Sequence, residues 1–170
     1  MATDLHVVGP LELPCVQNGI KKRIERQDCQ YFWHNQTAES LYYKQGCYIF
    51  AMRAGKGFKP WYVGKAGKGF GQEIFSHHKL EIYNSAIFKS SRGTPVVFFV
   101  TPMGNHRKVP QNELKHMEKE LTLYALDKNP RLCNVQNTKN LPRWTIRGVI
   151  RSGKGRASRP SIQFKKMMGM

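Results

Sequence analysis

Gly46-Cys47-Tyr48-Ile49-Phe50-Ala51-Met52 and Trp61-Tyr62-Val63-Gly64-Lys65 are two β-prone runs, parted by a short break that contains Ala54-Gly55-Lys56-Gly57. The first run is apolar at nearly every position, which suits a strand buried on both faces. Two such runs around a glycine-rich break predict an antiparallel hairpin. Pairing Tyr48 opposite Tyr62 puts the midpoint at Gly55, where a turn needs a permissive backbone.

Working outward, Ala66 to Gly71 is a second glycine-rich turn. Ile74, Phe75, His78 and Ile82 then recur at helical spacing and predict a helix from Gln72 to about Phe88. Pro95-Val96-Val97-Phe98-Phe99-Val100 reads as a central strand entered at a proline. Leu114, Met117, Glu118, Leu121 and Ala125 form a second helical stripe, which Asn129-Pro130 should stop. The expectation is an α+β domain over residues 41–139, in the order β-β-α-β-α, with a small central sheet flanked by helices.

Residues 1–40 read as an N-terminal arm broken by Pro10 and Pro14, with Val16 to Glu25 as a short basic helix. Residues 140–170 read as a basic extension, in which Trp144 to Ile150 adds a strand and Ser152 to Arg159 is flexible. The pentamer Ala-Gly-Lys-Gly-Phe occurs at 54–58 and 66–70, but one duplicated turn is not a repeat architecture.

Hydrophobic residues make up 40% of the 170, enough for a real core, so a fully disordered chain is excluded. Lys and Arg number 28 against 11 acids, a formal charge of +17, and such an excess points to a polyanionic partner. The charge is uneven. From Lys128 to Met170 there are eleven Lys or Arg and no acid, as expected of a nucleic-acid-binding arm. No apolar run approaches the roughly 18 residues of a membrane span, and Met1 to Pro10 lacks a signal peptide's apolar centre. A cytoplasmic protein without membrane partners is expected. Cys15, Cys29, Cys47 and Cys133 form no Cys-x-x-Cys pair and read as free structural thiols. The glycines at 64, 67, 69 and 71 fit neither a P-loop nor a dinucleotide fingerprint.

The tripeptides Gly46-Cys47-Tyr48 and Tyr62-Val63-Gly64, followed by a helix, a strand and a second helix bearing Glu118, resemble the GIY-YIG nuclease family over roughly residues 41–139. In any hairpin such tyrosines and glycines also serve as packing and turn residues. Glu118 adds weight, because its spacing puts a carboxylate on an apolar helix face, where an unpaired charge costs several kcal/mol. It needs a partner, either a metal ion or a lysine.

The resemblance implies that Glu118 is the one protein ligand of a hydrated Mg²⁺ (or Mn²⁺), a cation suited to hard oxygen donors and retained waters. It implies that Tyr48 helps deprotonate the attacking water and that Tyr62 orients a phosphate or water. A phenol is a poor base at neutral pH unless positive charge supports its anion, and Lys65 is the candidate for that charge. His78 is expected on the inward stripe, sharing proton work with Tyr48. Asn134 matches a family asparagine that shapes the phosphate site, or is a turn or capping residue. The sequence departs from the family at the helix arginine, since Gln72 stands at that offset and no Arg lies between Arg53 and Arg92. Lys65, Lys68 or Lys79 can supply the charge but not the planar fork. Phe75 to Lys79, a Phe-x-x-His-Lys segment, suggests a divergent subgroup.

In the extension, Arg143, Arg147, Arg151, Lys154, Arg156, Arg159, Lys165 and Lys166 stand among Gly and Ser, suited to tracking phosphates without reading bases. Trp144 and Phe164 either stack on bases or anchor a small core. The expected function is a metal-dependent endonuclease acting on nucleic acid, DNA in preference to RNA. Its cleavage should be lost in Glu118→Ala and strongly reduced in Tyr48→Phe. The alternatives are a non-catalytic nucleic-acid-binding protein on the same scaffold and a basic adaptor for an acidic protein.

Overall fold

The computed structural model of the chain describes residues 4–90, 92–104, 108–134, 146–149 and 155–170. It comprises two compact units, Met1–Thr138 and Lys139–Met170. The first is α+β, built on a four-stranded antiparallel sheet with helices.

The hairpin is β4 (Gly46–Ala54) and β5 (Gly57–Ala66), turning at Gly55, whose φ of +59° is the left-handed conformation that favours glycine. The register differs from the expected one. Tyr48 pairs with Gly64 and Phe50 with Tyr62, and an irregularity after Phe50 leaves Trp61 out of the ladder. Tyr48 and Tyr62 are thus diagonal neighbours on one face, with ring centroids 6.2 Å apart. The register explains both motif glycines. A Cβ on Gly64 would overlap the Tyr48 ring, and one on Gly46 would overlap the Val100 carbonyl oxygen.

β6 (Thr94–Pro102) pairs with β4, and β1 (Leu5–Glu12) pairs with β6, giving the order β1-β6-β4-β5. Residues read as an arm therefore supply the fourth strand, and Ile24, Phe32 and Ala38 from the same stretch add to the main core. The expected helix over Val16 to Glu25 is instead a small hairpin, β2 (Val16–Asn18) and β3 (Lys21–Arg23). Gly19, with φ +63°, turns the chain in the middle of that segment. Two one-turn helices follow, α1 (Cys29–Phe32) and α2 (Gln36–Glu39), the second capped by the Asn35 side chain.

Strand alternation sends side chains to two faces. Tyr48, Phe50, Tyr62 and Phe99 lie in the larger core, with Phe70 and Tyr83 from the helical side. Val63 and Ile49 pack instead with Leu121, Ala125, Leu126 and Leu132. The single helix expected from Gln72 is broken in two, α3 (Phe70–Glu73) and α4 (His77–Ser90), with the Ser76 carbonyl accepting from Lys79 and Leu80. The break resets the helical phase. α4 buries Leu80, Tyr83, Ala86 and Ile87, whereas His78 is exposed and not on the inward stripe. α5 (Gln111–Lys128) buries Leu114, Thr122, Ala125 and Leu126 against the opposite face.

In the second unit, α6 (Arg159–Met167) begins at the last residue of the segment read as flexible, capped by Ser158 with Pro160 in its first turn. The Ser161 hydroxyl donates to the Arg147 carbonyl at 2.9 Å, tying α6 to the turn at residues 146–149. The strand expected over Trp144 to Ile150 is not formed at its described residues: Arg147 to Val149 make a turn, with Gly148 at φ +75°, and Trp144, Thr145 and Ile150 lie outside the described residues. Among the described residues no helix is long and apolar enough to cross a membrane. All four cysteines are free thiols.

Candidate functional site

β5 is one edge of the sheet, and the chain after α5 closes part of it. The Cys133 amide donates to the Trp61 carbonyl at 2.8 Å, and the Asn129 side chain donates to the Pro60 carbonyl at 2.7 Å. Asn134 holds both edge groups of Val63, accepting from its amide at 2.9 Å and donating to its carbonyl at 2.7 Å. With its amide so engaged, Asn134 acts first as a brace for β5.

Around this edge lies a cleft of about 640 Å³. Tyr62, Lys65, Lys68, His78, Lys79, Glu118 and Asn134 line it, so seven residues singled out in the sequence meet in one concavity. Tyr62 and Lys65 have opposite parity on β5, so the cleft wraps the strand edge from the α4 face to the α5 face.

On the α5 side, Glu118 sits in the buried stripe one turn beyond Leu114, and its side chain is 14% exposed. Lys65 Nζ donates to its Oε2 at 2.7 Å, an ion pair that satisfies the carboxylate without a metal. Lys65 is therefore directed at Glu118, and not at Tyr48, whose anion it was the candidate to support. On the α4 side, Lys79 Nζ donates to the Tyr62 hydroxyl and lies 4.6 Å from the ring centroid. The helix break makes this reach possible, because Lys79 falls beside buried Leu80 in the first turn of α4. His78 stands on the rim, its Nδ1 4.0 Å from Glu81.

Tyr48 is absent from the lining. Its ring is fully buried over Gly64, and its hydroxyl is buried beside the Tyr83 side chain, not in the cleft. Burial pushes its pKa well above a phenol's ordinary value, and the neighbouring Tyr83 and Tyr62 push it the same way. A phenol that deprotonates a water needs access and a lowered pKa, and in this geometry Tyr48 has neither.

Sequence reasoning missed three polar groups of the cleft, Glu73, Gln111 and Cys133. Glu73 brings a second carboxylate from the end of α3, and Gln111 is the first residue of α5 after Pro110, a helix-start signal that marked its place. Among the described residues no arginine lines the cleft, and no group of three or more His, Cys, Asp or Glu stands together as a metal cluster. A single carboxylate with retained waters does fit a hard divalent cation, provided that Lys65 is displaced.

Of the basic extension, Arg147, Arg156 and Arg159 are exposed, whereas Arg143, Arg151 and Lys154 lie outside the described residues. No protein-family model, no curated protein and no solved structure matches this chain.

Proposed function

We propose that the chain is an endonuclease of GIY-YIG type that hydrolyses DNA phosphodiester bonds at the β5-edge cleft, with Mg²⁺ or Mn²⁺ held by Glu118. The observation that carries this reading is the meeting of a mostly buried carboxylate and a lysine-held phenol in one cleft. A phosphodiester needs charge stabilisation on its equatorial oxygens and on the leaving oxygen. Bound at Glu118, the metal supplies Lewis-acid stabilisation of that charge.

The chain's own groups do the rest. Lys79 and Tyr62 hold a phosphate oxygen or the attacking water, taking the role that buried Tyr48 cannot fill. Lys65, once released from Glu118, joins Lys68 in neutralising the backbone, in place of the family's arginine. His78 on the rim is the exposed imidazole available to move a proton. Asn134 keeps the strand edge in place. The extension, with Arg143, Arg147, Arg151, Lys154, Arg156 and Arg159, adds sequence-independent phosphate contacts.

A second reading, a non-catalytic nucleic-acid-binding protein, is favoured by one observation: Lys65 already satisfies Glu118. One experiment separates the two. Supercoiled plasmid and single-stranded DNA are incubated with the protein and Mg²⁺, Mn²⁺ or EDTA, beside Glu118→Ala. Metal-dependent nicking that Glu118→Ala abolishes is expected. Salt-sensitive binding that survives Glu118→Ala, with no nicking in any metal, overturns the endonuclease in favour of the binding protein.

A further inference from the structure

Beside the cleft runs an aromatic strip that the proposed reaction leaves unused. Trp33, just after α1, meets Tyr42 edge-on with ring centroids 5.0 Å apart, and Tyr42 meets Tyr43 at 4.9 Å. Tyr43 is the outermost ring and 69% exposed. Backbone hydrogen bonds fix the strip to the rim of the cleft. The Gly71 amide donates to the Tyr42 carbonyl at 2.9 Å and the Phe70 amide to the Lys44 carbonyl at 3.0 Å. The Gln45 side chain donates to the Gly67 carbonyl at 2.6 Å. Gly67 and Lys68, on that same loop, line the cleft. The loop lies this close because it is glycine-rich: a Cβ on Gly71 would overlap the Tyr42 ring, and Gly69 has φ +113°.

A lone exposed tyrosine is ordinary. This one ends a backed row of three rings, one loop away from a cleft that presents Lys65, Lys68 and Lys79. Such a row is largely immobilised before any ligand arrives, which lowers the entropy lost on binding. Aromatic faces next to cations suit one ligand chemistry above others, the unpaired nucleobase on a phosphate backbone. In a duplex the base faces cover one another, and only edges remain to contact a protein.

We propose that Tyr43, backed by Tyr42 and Trp33, is a stacking platform for an unpaired nucleobase, so that the cleft receives single-stranded or frayed nucleic acid. The proposal rests on the function proposed above for its ligand class, nucleic acid, but not on cleavage.

The test uses the full chain in EDTA and fluorescence anisotropy, with an end-labelled single-stranded oligodeoxyadenylate and a mixed-sequence duplex of equal length. Tyr43→Ala lowers the ratio of single-strand to duplex affinity about 5- to 140-fold, the range of one lost base–aromatic stack. Tyr43→Phe, whose ring also stacks, restores the ratio to within about twofold. An unchanged ratio in Tyr43→Ala overturns the platform, as does an equal loss on both ligands. If the protein nicks DNA while Tyr43→Ala keeps the ratio, the platform falls and the endonuclease stands. If binding depends on Tyr43 and no metal supports cleavage, the platform stands and the endonuclease falls. If neither oligonucleotide binds, both fall.

Discussion

Lys65 Nζ lies 2.7 Å from Glu118 Oε2, an ion pair that bridges β5 and α5 with the acid largely shielded from solvent. The ammonium occupies the carboxylate that a divalent cation would need, so metal binding and this pair are competitors. Removing the lysine alone leaves a mostly buried anion without its counter-charge, a loss of about 1–3 kcal/mol for a partly shielded pair. Lys65→Met should therefore melt lower than wild type in EDTA, and Mn²⁺ should raise its Tm more than it raises that of wild type. Adding Glu118→Gln should abolish the Mn²⁺ response. Equal Mn²⁺ shifts in wild type, Lys65→Met and the double variant would place no cation at Glu118.

Burial also sets an alkaline limit on the fold. The Cys29 thiol is pushed up to about 11 and that of Cys47 to about 12, mainly by desolvation, and the same cause holds Tyr48 and Tyr83 well above the usual phenol value. A raised folded pKa means that the folded chain keeps its proton after the unfolded chain has lost it. The stability these groups contribute is complete below about pH 9 and is lost progressively as pH climbs past the unfolded thiols and then the unfolded phenols, near pH 10. Urea midpoints should fall above pH 9, and the fall above pH 10 should be shallower in Tyr48→Phe. A slope unchanged by that substitution would mean that Tyr48 titrates as freely folded as unfolded.

Tyr48→Phe also separates packing from catalysis. It deletes a buried hydroxyl whose polar neighbour is the Tyr83 hydroxyl, so stability at pH 7 should change by no more than about 1 kcal/mol. Nicking should fall less in Tyr48→Phe than in Tyr62→Phe, which removes the acceptor of Lys79 inside the cleft. The sequence alone led to a strong reduction of cleavage in Tyr48→Phe. A greater loss of cleavage in Tyr48→Phe, with the melt unchanged, would return the base to that phenol.

Asn134 offers a contrast between bracing and binding. Its side chain satisfies both the amide and the carbonyl of Val63 at the sheet edge. Asn134→Ala leaves both groups to find water in a partly covered edge, at a cost of about 1–3 kcal/mol. Chemical denaturation should register that loss directly. If the variant keeps its stability but loses DNA affinity, the asparagine contacts phosphate and is no brace.

The hairpin, the central strand and the α5 stripe were legible because each is a long apolar run whose period identifies it. Glu118 stood out for the same reason, as the one acid among Leu114, Leu121 and Ala125. What misled was local phase. A three-residue break at Ile74–Ser76 rotated α4, taking His78 to the rim and bringing Lys79 onto Tyr62. β1 was hidden by Gly9-Pro10 inside it, which marks an irregular edge strand more than an arm. The Lys65 pairing was beyond reach, since spacing assigns a residue to a face but not its partner across two elements.

The two motif glycines of the hairpin differ in kind from the glycine of its turn, and that difference is measurable. Gly64 meets the Tyr48 ring, which Phe70 and Tyr62 back at centroid distances of 6.4 Å and 6.2 Å, so the ring cannot simply move aside. Gly64→Ala should destabilise by about 1–3 kcal/mol through overpacking. Gly55 has open space around it and φ +59°, so Gly55→Ala should cost about 1 kcal/mol through backbone conformation alone. Pairing each with Tyr48→Leu tells the causes apart, because a smaller side chain relieves a clash but not a dihedral. The Gly64→Ala/Tyr48→Leu double variant should be more stable than the sum of its single losses by about 1 kcal/mol or more, whereas Gly55→Ala/Tyr48→Leu should be additive. Additivity in both would mean that Gly64 is held by backbone preference and that the Tyr48 ring does not dictate the second motif's glycine.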